Sequence, residues 1–181
     1  MAIDETGKFG PTLTFHEILL KVNNAKDKPK KLKVLQHYDT AELRMVLKAG
    51  FDPNIVWELP DGKPPYDEND APEGTEHTYL KREARRLYHF IKGGNPNLSQ
   101  SKRETMFVQM LEGLNKEEAD LLIAAKDKSL NKKYKGLTAN LVKDAFNWND
   151  SFMKKYVKSG ILGATFLTNL TLDFVYNPDT L

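Results

Sequence analysis

Apolar residues recur at helical spacing through most of this 181-residue chain, and several of these stretches begin with a residue type that caps helices. Thr14 precedes one stretch and has Glu17 three residues later, and Asn115 stands in the same relation to Glu118. In such a capping box the first side chain accepts from a free backbone N–H, and the acidic side chain reaches back. The pattern predicts a mainly α fold, a compact domain of six to eight helices.

The helix starts follow one another along the chain, separated by turn residues. We expect helices to begin near Thr14, near Pro29, at Asp39 with Glu42 as its capping-box partner, near His77, at Ser99, at Asn115 and at Thr138. The helix from His77 is predicted to end at Gly93-Gly94, and a tight corner is predicted at Gly113 to Asn115. Residues 51–60 read as a short strand or an extended segment, and residues 61–75 as a long loop.

The chain divides into three segments that differ in amino-acid composition and in the spacing of their apolar residues. Residues 1–13 are predicted to be a flexible N-terminal arm, residues 14–148 the helical domain, and residues 149–181 an irregular or β-prone C-terminal segment. Residues 161–176 are apolar enough that we expect them to pack on the main domain or to dock on a partner. No window approaches the ~18 apolar residues of a membrane span. The absence of cysteine suits a reducing compartment, so a cytoplasmic location is expected.

The familiar enzyme motifs are missing from the sequence. It contains no GxxxxGK[ST], GxGxxG, HExxH or GxSxG, and no cysteine for a thiolate metal site. The acidic loop beginning at Asp67 fails as an EF-hand because Pro72 stands where the loop needs glycine. The four histidines, His16, His37, His77 and His89, show no convincing metal-ligand spacing. We therefore predict a protein that is not an enzyme and that holds no cofactor or metal.

The charges are nearly balanced, so only their local clustering is informative. There are 27 basic and 25 acidic residues, for a net charge of +2. Three basic groups stand out: the 128–143 group (Lys128, Lys132, Lys133, Lys135, Lys143), the 26–33 group (Lys26, Lys28, Lys30, Lys31, Lys33) and the 81–92 group (Lys81, Arg82, Arg85, Arg86, Lys92). If the three groups converge, they form a positive stripe that can follow a duplex backbone.

The 128–143 group also suggests a phosphate clamp. Gly136 allows close approach to the chain, and Thr138 opens a helix whose first N–H groups are free and partly positive. Tyr134 either packs along a sugar or anchors the loop. The alternative, which composition alone favours, is that these lysines cover a solvated surface turn.

Two resemblances add to this reading. Long stretches, including FDPNIVWELPDGKPPYDENDAPEGTEHT and KGGNPNLSQSKRETMFVQMLEGL, resemble a family of small proteins of unassigned function from large tailed phages of cyanobacteria and other marine bacteria. That resemblance implies a phage origin and a place in the host cytoplasm or the virion.

The second resemblance is to the all-helical N-terminal DNA-binding domain of ATP-dependent DNA ligases. NNAKDKPKKLKVLQHYDTAELRMVLKAGFDP resembles its early helical pair, and LLIAAKDKSL with KGLTANLVKDAF resembles a later helical corner. It implies backbone contacts to duplex DNA from Lys135, Gly136, Thr138 and Lys143. The chain departs from ligases at Lys128, where ligases have leucine, and it lacks their Lys-x-Asp-Gly adenylation motif, so it is not expected to seal nicks.

Two functional hypotheses follow. In the first, the chain is a non-enzymatic phage accessory protein that binds duplex DNA backbone without strong sequence preference, through the 128–143, 26–33 and 81–92 groups. In the alternative, residues 161–176 dock on a phage or host protein, or the chain is a virion component. The sequence does not determine the oligomeric state.

Overall fold

The computed structural model describes residues 13–72 and 75–148, and this part of the chain is mainly helical, as predicted. The helices are α1 (Phe15–Asn24), α2 (Lys28–His37), α3 (Ala41–Phe51), α4 (Leu80–Glu83), a 3-10 helix (Ala84–Phe90), α5 (Gln100–Gly113), α6 (Lys116–Lys126), α7 (Leu130–Lys133) and α8 (Ala139–Phe146). Extended pairing in the described ranges is limited to two isolated bridges, Trp57 with Ile91 and Asn69 with Asn115.

Helix caps account for most of these starts. The Thr14 hydroxyl accepts from the Glu17 N–H at 3.3 Å, and the Glu17 carboxylate accepts from the Thr14 N–H at 2.7 Å, which confirms that capping box. The prediction for Asp39 is wrong by one residue, because Thr40 caps α3 by accepting from the Leu43 N–H. Asp39 instead accepts from the Arg44 guanidinium, with Oδ1 2.6 Å from Nε.

Glu118 follows its capping residue as predicted, but its own carboxylate serves two other helices. Asn115 caps α6 by accepting from the Glu118 N–H at 2.8 Å. The Glu118 carboxylate, in a residue with 0% exposure, accepts from the Phe15 N–H at 3.1 Å and from the Leu80 N–H at 2.8 Å. It thereby satisfies free amides at the starts of α1 and α4 together. Burial raises the pKa of Glu118 against the opposing effect of these two hydrogen bonds.

The core is organised around α6, which is buried along most of its length. Leu121, Leu122 and Ala125 are fully buried there, and α6 packs against α1, α3, α5 and α7. The pair α2 and α8 packs together and α2 also packs on α1. The ends of α1, α2 and α8 are thereby brought to one region of the molecule.

The helix predicted from His77 to Gly93 forms only in part. A single α-turn, α4, gives way to the 3-10 helix, and Ile91 is extended. Two hydrogen bonds join this stretch to the extended residues before the long loop, from the Glu58 N–H to the Phe90 carbonyl and from the Lys92 N–H to the Val56 carbonyl, both at 2.8 Å. This pairing competes with continuation of the helix, and it agrees with the extended segment expected at 51–60.

The predicted arm lies outside the described residues except for Leu13, which packs on the core. The C-terminal segment, residues 149–181, also lies outside them. No helix in the described ranges is long and apolar enough to cross a membrane.

Candidate nucleic-acid interface

Lys126 and Asp127, at the end of α6, fasten the long loop to the core. The Lys126 side chain is 2% exposed, and its ammonium donates to the Pro60 carbonyl at 2.7 Å and to the Asp127 carboxylate. The same Asp127 oxygen accepts from the Gly62 N–H at 3.2 Å. These two charged residues therefore act inside the protein, because the polar backbone of residues 60–62 needs partners where it meets α6.

Lys128, which was predicted to contact DNA, donates from its ammonium to the backbone of another segment. Its backbone is left-handed, with φ of 54°, and its ammonium donates to the carbonyls of Ala49 at 2.6 Å and Asp52 at 2.8 Å. These carbonyls lie at the end of α3, where free acceptors and the negative end of the helix dipole favour a cation. Burial lowers the pKa of Lys128 to about 8.

The backbone amides expected to form the phosphate clamp are partly used within the fold. The Gly136 N–H donates to Asn23 Oδ1 at 3.0 Å, and the Leu137 N–H donates to the Tyr134 carbonyl at 2.9 Å. The Thr138 hydroxyl accepts from the Leu141 N–H at 3.2 Å as the cap of α8. Gly136 and Thr138 thus have structural roles, and the expectation of an open amide at Gly136 is corrected.

Gly136 packs closely against the end of α1. A Cβ at this position would collide with the Lys31 ammonium and lie 3.1 Å from the Asn23 carbonyl oxygen. Lys31 itself donates to the carbonyls of Val22 at 3.0 Å and Asn23 at 3.1 Å. Its ammonium therefore caps the end of α1 in the way that Lys128 caps the end of α3.

This packing brings the 26–33 and 128–143 groups together. Gly136 touches the end of α1 and Lys31 of α2, and Lys28 of α2 forms a 2.5 Å ion pair with Asp144 of α8. Lys30 pairs with Asp27 at 3.1 Å, so both nearby carboxylates are already engaged. Lys143, on α8, is half-buried and has its own partner.

Four exposed lysines of the two groups have neither a carboxylate within ion-pair distance nor a side-chain hydrogen bond among residues 13–72 and 75–148. We call them the unpaired lysines: Lys26, Lys33, Lys132 and Lys135. They lie on the α1–α2 turn, on α2, on α7 and on the segment that follows α7. The contact of Gly136 with Asn23 and Lys31 joins the segment that carries Lys135 to α2 and to the end of α1, next to the turn that carries Lys26.

The 81–92 group is placed elsewhere. Arg85 donates to Glu42 at the start of α3 at 2.8 Å, and Arg86 donates to Glu83 at 2.8 Å, while Arg82 is exposed. The start of α3 follows the far end of α2, and ten helical residues span about 15 Å. The length of α2 therefore lies between the 81–92 group and the start of the 26–33 group, and one continuous stripe stays a prediction.

Tyr134 is an anchor within the fold and is unavailable to a sugar. It is 1% exposed, and its hydroxyl lies 2.7 Å from His16 Nδ1. Glu117 is shared by His16 at 3.8 Å and Lys133 at 3.6 Å. Burial raises the pKa of Tyr134 and lowers that of His16. The alternative in which Tyr134 anchors the loop is confirmed, but its partners could not be predicted, because they come from α1 and α6.

Comparison with known proteins identifies one family. A family described as of unknown function, DUF6433, matches residues 18–132. This range includes Lys126, Asp127 and Lys128 and ends before Gly136. No curated protein matches the chain, and no solved structure does. No group of three or more histidine, aspartate or glutamate residues in the described ranges is arranged to hold a metal ion.

Proposed function

The chain belongs to DUF6433, whose function is unknown, and we propose from its own geometry that it binds the phosphate backbone of duplex DNA without strong base preference. We propose further that it does so as a non-enzymatic accessory protein. The observation that supports this is the contact, at Gly136, of the segment that carries Lys135 with α2 and with the end of α1, next to the turn that carries Lys26. Exposed lysines without carboxylate partners release counterions from DNA when they bind its phosphates.

The exposed lysine side chains are better suited to contacts with the DNA backbone than to recognition of bases. An ammonium is a compact point charge, whereas a guanidinium or a carboxamide can pair with a base edge through two hydrogen bonds. The arginines of the 81–92 group that form ion pairs, Arg85 and Arg86, are engaged by Glu42 and Glu83. Contacts made by lysine alone fix position along the backbone and carry little sequence information.

A duplex fits better than a single strand. Proteins that bind single strands stack bases on exposed aromatic side chains. Tyr134, the aromatic residue closest in sequence to Lys135, is buried against His16 and cannot stack on a base. Lys135 therefore offers charge without a stacking surface from Tyr134 beside it, and a duplex has the higher charge density.

Fluorescence anisotropy with labelled DNA tests the proposal. The full chain is titrated onto intact duplex, nicked duplex and single strand at low and moderate salt. We expect binding at low salt, a steep loss of affinity with salt, with a slope of about −0.9 per phosphate contact, and tighter binding to duplex than to single strand. Equal affinity for unrelated duplex sequences is also expected. No duplex binding at low salt would end the proposal.

The alternative, docking through residues 161–176, concerns residues outside the described ranges. It stays a prediction, with a virion-associated role as its variant. Size measurement of the chain with and without the last twenty or so residues tests it, because removal of a docking segment changes the oligomeric state or solubility.

A further inference from the structure

The segment that carries Lys135 is fastened to α1 on both sides of that residue. On one side the Tyr134 hydroxyl meets His16 Nδ1 at 2.7 Å, and on the other the Gly136 N–H donates to Asn23 Oδ1 at 3.0 Å. His16 and Asn23 are seven residues apart in α1, which is two helical turns, so they lie on the same face of that helix. The three residues 134–136 therefore run along one side of α1.

The charges on this side of α1 keep the segment in place. Lys133 is drawn to Glu117, 3.6 Å away, and its ammonium also lies 5.8 Å from the centre of the Tyr134 ring. Lys135, between the two anchored residues, is exposed and has no carboxylate at ion-pair distance in the described ranges. Its backbone is thus fixed by neighbours while its ammonium is left to the solvent.

We propose that His16 and Asn23 are positioning residues for DNA binding: they hold Lys135 beside the lysines of the α1–α2 turn, so that both groups reach one duplex. The inference rests on the proposed function and deepens it. Affinity for DNA then depends on where the lysine ammonium groups lie as well as on how many there are. Loss of an anchor leaves the number of lysines unchanged but removes Lys135 from the set that contacts phosphate together.

The test compares Asn23→Ala with its neighbour Asn24→Ala. Asn24 is exposed and accepts only from the Asn23 side chain among the hydrogen bonds of the described residues, at 3.2 Å, so its removal leaves the Gly136 anchor intact. Neither substitution changes the net charge. We expect Asn23→Ala to reduce the magnitude of the salt slope for duplex binding by about 1, the value for one phosphate contact, and Asn24→Ala to leave it unchanged.

A double-variant cycle distinguishes positioning from a general structural effect. If Asn23 acts through Lys135, the salt slope of the Asn23→Ala, Lys135→Gln double variant equals that of Lys135→Gln alone. His16→Phe removes the other anchor while keeping a ring beside Tyr134, and it should reduce the slope in the same way. It also serves as the second probe if Asn23→Ala fails to fold.

Each outcome separates the two proposals. Steep duplex binding by the natural chain with unchanged slopes in Asn23→Ala and His16→Phe would overturn the positioning inference and leave the proposed function standing. Additive losses in the double variant would also overturn it. Failure of the natural chain to bind duplex at low salt would overturn the proposed function, and the inference with it.

Discussion

Two lysine clusters that are almost adjacent in the sequence have opposite environments in the fold. Lys126 and Lys128 turn inward and donate to backbone carbonyls of other segments, at Pro60, Ala49 and Asp52. A few residues later, the unpaired lysines Lys132 and Lys135 are exposed. The same residue type therefore stabilises the fold at one position and offers charge to the solvent at the next.

What separates the two clusters is the presence of backbone acceptors. A helix ends with carbonyl groups that have no partner in the helix. Lys128 reaches the end of α3, and Lys31, in the 26–33 group, reaches the end of α1. Lys126 reaches the loop carbonyl of Pro60, whereas Lys132 and Lys135 have no such backbone acceptor in the described ranges and are exposed. A lysine-rich stretch is therefore not by itself evidence of a binding surface.

The largest expected effect is on stability, from Lys126→Ala. The substitution removes a buried ammonium and leaves the Pro60 carbonyl and the Asp127 carboxylate without their partner. Breaking a fully buried ion pair from one side costs about 3 to 5 kcal/mol, and this is the upper limit here because Asp127 is 23% exposed and keeps the Gly62 N–H. Urea unfolding measures this loss. Lys132→Ala is the matched control and is expected to change the unfolding free energy by less than about 0.5 kcal/mol. A loss below about 1 kcal/mol for Lys126→Ala would contradict an inward structural role.

The opposite result is expected when all four unpaired lysines are replaced by glutamine. Their exposed side chains make no ion pair in the described ranges, so stability should change little. Duplex binding should lose up to about 3.6 from the magnitude of its salt slope, at about 0.9 per lysine that contacts phosphate. Anisotropy at several salt concentrations measures the slope. A quadruple variant that binds as steeply as the natural chain would place the interface elsewhere.

The sequence predicts the helices better than it predicts their ends and their partners. Thr14, Asn115 and Thr138 cap helices as expected because capping is decided within four residues. Asp39 was assigned one residue too early, since Arg44 draws its carboxylate away from the cap. Glu118 could not have been predicted, because its partners Phe15 and Leu80 are 103 and 38 residues away.

The candidate site shows the same limit. Clustering of lysines is visible in the sequence, and so is the helix start near Pro29. The hydrogen-bond partner of each ammonium is not visible in the sequence. The carbonyls that accept from Lys31 and Lys128 belong to other segments, at the ends of α1 and α3. The sequence indicates a close approach to the chain at Gly136, but the groups that approach it are the end of α1 and Lys31, which the sequence does not reveal.

Lys128 allows a pH test of the inward cluster, with a smaller effect because its stem is exposed. Burial lowers its pKa from 10.5 in the unfolded chain to about 8 in the fold. Between these values the unfolded chain holds a proton that the folded chain has lost, so this residue makes stability rise as pH rises from about 8 to 10.5. Lys128→Met should abolish that part of the rise in urea unfolding measured across the window. Identical pH profiles of the two proteins would contradict it.

The last prediction concerns the exposed lysines and has the smallest effect on stability. Asp144→Asn releases Lys28 from its exposed ion pair, which contributes at most about 1 kcal/mol to stability. A freed Lys28, one turn before Lys31 on α2, should increase the magnitude of the salt slope for duplex binding by about 0.9. Asp67→Asn makes the same change in net charge in the acidic loop and serves as the control. If Asp67→Asn steepens the slope as much as Asp144→Asn, bulk charge drives binding and the local surface does not. A steeper slope for Asp144→Asn alone would tie binding to the region where α1, α2 and α8 meet.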